Sequence, residues 1–218
     1  MLNEMSDSRD PNSVAVRLRR KRFGFFLELV SKIEKPVRIL DVGGTQSYWE
    51  LVGYTSPDDV QITLLNVSKE PTTLPNFSSV VGDACRLDFP DGAFDVVFSN
   101  SVIEHVGSYA DQGRMAAEVM RVGKRYFVQT PNYYFPIEPH FLFPMFQFLP
   151  LGMKIWLLRN AKLGWYDRTP DYDAAKSIAQ SVQLLDRREL QALFPSGRML
   201  IERFYGLPKS LTVYAGWS

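Results

Sequence analysis

The residue types best suited to chemistry in this chain sit in a stretch crowded with prolines and aromatics, Gln129-Thr130-Pro131-Asn132-Tyr133-Tyr134-Phe135-Pro136-Ile137-Glu138-Pro139-His140. Glu138 and His140 can act as a pair in which the carboxylate orients the imidazole. Imidazole titrates near neutrality, so such a pair suits removal of a proton from a hydroxyl or an amine. The competing reading is structural: a loop in which His140 caps a helix beginning near Phe141. A second kind of chemistry lies in Asp41-Val42-Gly43-Gly44-Thr45-Gln46-Ser47, where two positions without side chains let backbone amides approach a ligand. Metal binding has little to draw on, because the chain has 2 histidines and 1 cysteine and its acids show no ligand spacing. Cys85 reads as a small buried residue in preference to a nucleophile.

These residues need a frame. Short apolar runs at 37–42, 61–66, 78–81, 94–99 and 125–130 predict strands. Their continuous apolar character implies burial on both faces, as in a parallel sheet covered by helices. Helical spacing predicts a leading helix within 13–35 and another over 111–121; the basic run 17–22 in the first reads as a solvated face. Asp186 followed by Glu189 has the form of a capping box and predicts a helix over 186–194. Segments 198–205 and 210–216, separated by Gly206-Leu207-Pro208-Lys209, predict a terminal antiparallel pair. Alternating strands and helices imply right-handed crossovers. The expected fold is therefore α/β: a doubly wound, mostly parallel, seven-stranded Rossmann-like sheet with an antiparallel C-terminal strand pair and a hydrophobic helical insertion after the fifth strand. Ligands bind such sheets at the carboxyl ends of the strands, near the point where strand order reverses. That rule singles out Asp41 to Gly44, Asn66, Gly82-Asp83-Ala84 and Asn100-Ser101.

At 218 residues and 25.0 kDa, one substantial core is expected. The expected division is a single domain over 1–218: a helical extension at 1–36, a ligand-binding core at 37–131, an insertion at 132–185 and a closing helix and strand pair at 186–218. With 45% apolar and 22% charged residues, neither a disordered nor a fibrous chain fits. Net charge is +3 up to residue 36, −5 over 37–131 and +3 beyond, and the acidic middle argues against a nucleic-acid groove. One cysteine rules out an internal disulfide framework and fits a reducing compartment. Residues 1–12 are polar and lack the apolar core of a secretory signal, so the cytoplasm is the expected location. Pro144, Pro150, Gly152 and Lys154 interrupt the apolar stretch 141–158 and make it a poor membrane-spanning helix.

Over roughly 37–130 the chain resembles the class I S-adenosylmethionine-dependent methyltransferases, particularly the branch called type 11. The resemblance is carried by Arg38-Ile39-Leu40-Asp41-Val42-Gly43-Gly44, Val81-Gly82-Asp83-Ala84, Phe89-Pro90-Asp91-Gly92-Ala93-Phe94-Asp95-Val96-Val97 and Ser99-Asn100-Ser101-Val102-Ile103-Glu104-His105-Val106. It implies that S-adenosyl-L-methionine is the cofactor, leaving as S-adenosyl-L-homocysteine. Asp41 and the Gly43-Gly44 backbone would approach its methionine end, Asp83 would accept from the adenine amine with Ala84 beside the ring, and Asn100 and Ser101 would close the pocket near the sulfonium. His105 would help form that pocket. Two departures stand out: Thr45 and Ser47 replace the later glycines of the first loop, and Asn66 replaces the acid that holds the ribose hydroxyls. An amide can still accept and donate there, with Glu50 and Ser68 as substitutes. A nicotinamide dinucleotide is disfavoured, since neither the Gly-x-Gly-x-x-Gly turn nor its following acid is present. The resemblance implies methyl transfer; the expected acceptor is a small molecule or glycan, and the catalytic candidates are His140 and Glu138, read from their own residue types. The alternative is a non-catalytic cofactor-binding or scaffolding domain, in one version membrane-peripheral. Residues 141–158 fit a hydrophobic lid, an apolar acceptor pocket, a homo-oligomer interface or a peripheral membrane contact, and sequence does not choose among them.

Overall fold

The computed structural model describes residues 14–217. Its strands are β1 (Val37–Val42), β2 (Val60–Asn66), β3 (Phe77–Val81), β4 (Val96–Asn100), β5 (Tyr126–Pro131), β6 (Ile137–Glu138), β7 (Phe143–Pro144), β8 (Arg198–Phe204) and β9 (Leu207–Ala215). Seven of them form one sheet in the order β3-β2-β1-β4-β5-β9-β8, and β6 and β7 make a separate small pair. β1 to β5 are parallel; β9 runs antiparallel to both β5 and β8. From β1 the chain moves outward through β2 and β3, then returns to β4 on the opposite side. The reversal lies between β1 and β4, where Val42 faces Ser99 in register while Val42 also faces Leu65 of β2. The ends of β1, β2 and β4 are thereby level, which brings 41–44, Asn66 and Asn100 to one edge.

Helices are α1 (Val14–Val30), α2 (Gln46–Val52), α3 (Tyr109–Val122), α4 (Leu151–Asn160), α5 (Tyr172–Gln180) and α6 (Arg187–Leu193). One face of the sheet is covered by α1 and α2, whose Phe23, Phe26, Val30 and Trp49 pack on Ile39, Phe98 and Phe127. The Phe26 ring lies 5.0 Å from Phe98 and 5.2 Å from Phe127, in edge-on arrangements that aromatic quadrupoles favour. The other face is covered by α3 and α6 through Met115, Val119, Val122, Leu190 and Phe194. Ser108 caps α3 in a reciprocal box with Asp111, and Asp186 does the same for α6 with Glu189, as its spacing predicts.

The five expected parallel strands lie within two residues of their predicted bounds, and the terminal antiparallel pair is present. The sheet is doubly wound with fewer helices than its name suggests: 67–76 and 82–95 cross between parallel strands as loops. α1 ends at Val30, short of the predicted 35, and residues 1–13 lie outside the described residues. The insertion is helical only in its second half. No helix begins near Phe141; 132–149 is loop with the β6–β7 pair and a 3-10 turn, and α4 starts at Leu151. It has a core of its own, built from Phe141, Phe146, Ile155, Leu158, Ala175 and Ala179. Among the described residues no helix is long and apolar enough to cross a membrane.

Trp49 is fully buried where α2 meets the aromatic layer. Trp49→Ala should lower unfolding stability by about 3–5 kcal/mol, read as an earlier midpoint in urea at an unchanged slope.

Candidate active site

The loop after β1 is shaped by a carboxylate beneath it. Asp41 is 1% exposed and accepts from the Trp49 indole nitrogen at 2.7 Å. A Cβ at Gly44 would fall 1.6 Å from Asp41 Oδ2, so only glycine closes over this group. Gly43 has φ +77°, and a Cβ there would meet Val102 at 2.4 Å. Asp41 therefore braces the loop from below, and the resemblance's expectation that its side chain approaches a ligand gives way to a backbone role for Gly43 and Gly44. Burial pushes its pKa up to about 7, against the lowering effect of the Trp49 hydrogen bond.

The neighbouring strand ends face the same edge. Asn66 donates through Nδ2 to the Gly44 carbonyl at 2.8 Å, which leaves its Oδ1 as a single acceptor where a carboxylate would offer two oxygens. Asp83 is exposed, and its Oδ1 accepts from the Cys85 amide at 2.8 Å, leaving Oδ2 for an amine. Ala84 packs on the core beside it. Cys85 is half-buried, with its thiol pKa raised by burial and then by the Asp83 charge, conditions that disfavour a thiolate. Asn100 Oδ1 accepts from Arg22 at 2.8 Å, and Arg22 also pairs with Glu202 at 3.0 Å. The solvated-face reading of the basic run thus fails at Arg22, whose side chain is 10% exposed. Ser101 sits at φ 58°, a costly conformation for a residue with a Cβ, and donates to Gln129 at 3.0 Å.

Beyond Ser101 the chain forms a 3-10 turn, Ile103–His105, that meets the insertion. His105 Nε2 lies 3.1 Å from His140 Nε2, with the rings edge to face. His140 Nδ1 contacts Glu138 Oε1 at 2.6 Å, and Glu138 Oε2 accepts from the amides of His140 and Phe141. Glu138 is 2% exposed and held by two backbone amides, so it is a fixed support for His140. Burial alone would lower the His140 pKa, but the hydrogen bond and charge of Glu138, with Glu104 beyond, hold it above the ordinary value. His140 caps no helix. Glu104 is fully buried; its Oε2 accepts from Thr130 at 2.9 Å, and its Oε1 has no partner. Burial raises its pKa to about 7, partly offset by its own backbone amide and by His140. Buried Gln112 ties the turn to the insertion by donating to the carbonyls of Ile103 and Gln183.

Residues 41–126 match the family described as "Methyltransferase domain". They are a class I S-adenosylmethionine-dependent methyltransferase domain of the type 11 branch. A protein of Mycobacterium tuberculosis strain H37Rv, described as uncharacterized, is 43% identical over 53 residues, which are 24% of this chain and 18% of that one. The chain thus spans under a fifth of the curated relative it matches. Among solved structures, a methyltransferase from Aquifex aeolicus superposes with TM-score 0.51 at 13% identity, covering 98% of this chain and 97% of its own. The CurJ carbon methyltransferase superposes with TM-score 0.59 at 12% identity, covering 96% of this chain and 56% of its own. At these identities the structures share the fold.

The domain's edge fits the family's cofactor: a two-glycine approach at Gly43-Gly44, a free acceptor on Asn66, a free carboxylate oxygen on Asp83 and a strained turn at Ser101. Arg22, Glu104, Thr130 and Gln129 escaped the sequence reading as site residues. For Glu104 the signal was present, an acid next to a histidine just after a strand; for Arg22 none was, because its partner Asn100 lies 78 positions away.

Two outcomes follow from this geometry. Asp83→Ala should weaken S-adenosylhomocysteine binding about tenfold by calorimetry, the worth of one hydrogen bond to a charged group. The folded pKa of Asp41, about 7, exceeds its ordinary 3.8, so its stabilising contribution is present below about pH 4 and is lost as pH rises to about 7. Asp41→Asn cannot titrate, so the melting temperature of the variant relative to the parent should climb across that window and level off above it.

Proposed function

We propose that this domain transfers a methyl group from S-adenosylmethionine to a small-molecule or glycan acceptor by direct in-line attack. The observation that carries the acceptor side is the 2.6 Å contact between His140 Nδ1 and buried Glu138 Oε1, at the same sheet edge as Ser101. The cofactor supplies an electrophilic methyl group on a sulfonium sulfur. Gly43, Gly44, Asn66, Asp83, Ala84, Asn100 and Ser101 hold and orient it, and His105 closes the side next to the acceptor. Glu138 keeps the proton on His140 Nδ1, so His140 Nε2 presents a lone pair that receives the acceptor's proton as the new bond to carbon forms. Most of the remaining work is positioning.

A cavity of about 300 Å³ lies within the insertion and is reached by Glu138, though His140 and the cofactor-edge residues are not among its walls. Glu138, Tyr133, Phe146, Gln147 and Lys154 are among its walls. Gln147 donates to the carbonyls of Tyr133 and Phe135, while its own carbonyl oxygen is buried without a partner, which favours an acceptor that brings a hydroxyl. Burial lowers the pKa of Lys154. A second reading for the insertion's outer edge rests on Phe148, Met153 and Trp156, which are 39%, 52% and 63% exposed. An apolar portion of the acceptor, a lipid surface or a second copy would cover these side chains.

His140→Ala should cut turnover by roughly 10²- to 10⁴-fold while changing S-adenosylhomocysteine affinity by about twofold or less. Turnover can be followed as S-adenosylhomocysteine formed from S-adenosylmethionine in the presence of an extract of hydroxylated metabolites. Equal turnover in variant and parent would remove His140 from the mechanism.

A further inference from the structure

Three atoms able to bind a cation converge beyond the ends of β4 and β5, and one of them has no hydrogen-bond partner. Glu104 Oε1 is buried with no partner. It lies 4.0 Å from His140 Nε2, which lies 3.1 Å from His105 Nε2, and all three atoms fall within 4.8 Å of one another. The far side of the His140 ring is engaged, its Nδ1 lying 2.6 Å from Glu138 Oε1. That leaves two ring nitrogens facing each other beside a buried carboxyl oxygen without a partner, an arrangement that a positive charge among them would stabilise.

We infer that Glu104, His105 and His140 bind one divalent transition-metal ion. Two imidazoles and a carboxylate suit zinc, iron(II) or cobalt(II); magnesium and calcium take oxygen ligands almost alone. Metal–ligand bonds of about 2.0–2.2 Å place neighbouring ligand atoms about 3–3.5 Å apart. The two nitrogens already meet that spacing, and Glu104 has to approach His140 by under about 1 Å. The outer contacts are also those of a metal centre: Glu138 fixes the tautomer of His140 through its other nitrogen, Thr130 holds the second oxygen of Glu104 at 2.9 Å, and Gln112 pins the turn that carries Glu104 and His105.

This inference rests on reading the cluster as the centre that activates the acceptor, and goes beyond it. Ion-free, His140 Nε2 keeps its lone pair for the acceptor's proton. Ion-loaded, that lone pair would be engaged, and three protein ligands would leave at least one coordination position for an acceptor oxygen, whose proton the ion would acidify for loss to solvent. The ion also cross-links the sheet edge, through 104–105, to the insertion, through 140.

Chelator-treated protein titrated with cobalt(II) chloride should develop visible absorption that saturates at one ion per chain and is displaced by zinc sulfate. Glu138→Gln should weaken cobalt binding about 10- to 100-fold. His105→Ala, at an exposed position, should abolish the absorption without lowering the ion-free melting temperature. Absence of saturable absorption in the parent, or its persistence in the His105→Ala, His140→Ala double variant, overturns the site. Thermal stabilisation by S-adenosylhomocysteine, measured on the same samples, separates the two readings. Stabilisation without cobalt binding overturns the ion alone, and cobalt binding without stabilisation overturns the methyltransferase function alone.

Discussion

A carboxyl group closed over by a glycine organises this protein. Asp41 ends a central strand, Gly44 lies on top of it and Trp49 donates to it from the side. Trp49 in turn belongs to the aromatic layer that includes Phe26 and Phe98. Loop, helix and core are therefore coupled through one buried hydrogen bond. An unpaired polar group at this depth would cost a few kcal/mol, so the bond to the indole is what makes the burial tolerable. The backbone that faces the cofactor edge inherits its shape from a side chain that never reaches that edge.

The same economy of contacts appears at the acceptor side. One carboxylate, Glu138, receives two backbone amides and an imidazole. Across from it, Ser101 stores strain in a left-handed conformation, and the 3-10 turn after it carries Glu104 and His105. Neither half is a site alone. The sheet contributes a rigid edge, the insertion contributes an oriented imidazole, and the two meet where His105 and His140 lie 3.1 Å apart.

How far this could be read from the sequence depended on the range of each interaction. Apolar runs with buried register gave β1 to β5 because parallel strands are apolar on both faces, and Asp186 with Glu189 marked α6 because capping is local. α2 was not legible: Gln46-Ser47-Tyr48-Trp49-Glu50-Leu51-Val52 has weak intrinsic helix preference, and tertiary packing of Trp49 overrides it. α5 carries a capping Asp171 but lies inside an insertion whose prolines and aromatics masked where regular structure resumes. At the sheet edge, the placement of Asp83, Asn66 and the His140–Glu138 pair was legible because they follow strands. The downward orientation of Asp41, the reach of Arg22 to Asn100 and the orphaned oxygen of Glu104 were not, since each depends on which way a side chain turns after the chain has folded.

The insertion begins and ends at one seam. Asn132 bridges Leu185, Tyr133 donates to the Leu185 carbonyl, and the Asn132 side chain donates to Pro208 of β9. Between them, Phe141, Phe146 and Leu158 centre a core distinct from the two that flank the sheet. A segment with joined ends and a private interior is a cassette. Its walls can be rebuilt, lengthened or exchanged without a change of register in any strand, so this part of the protein can vary while the sheet edge at Gly43-Gly44 stays fixed.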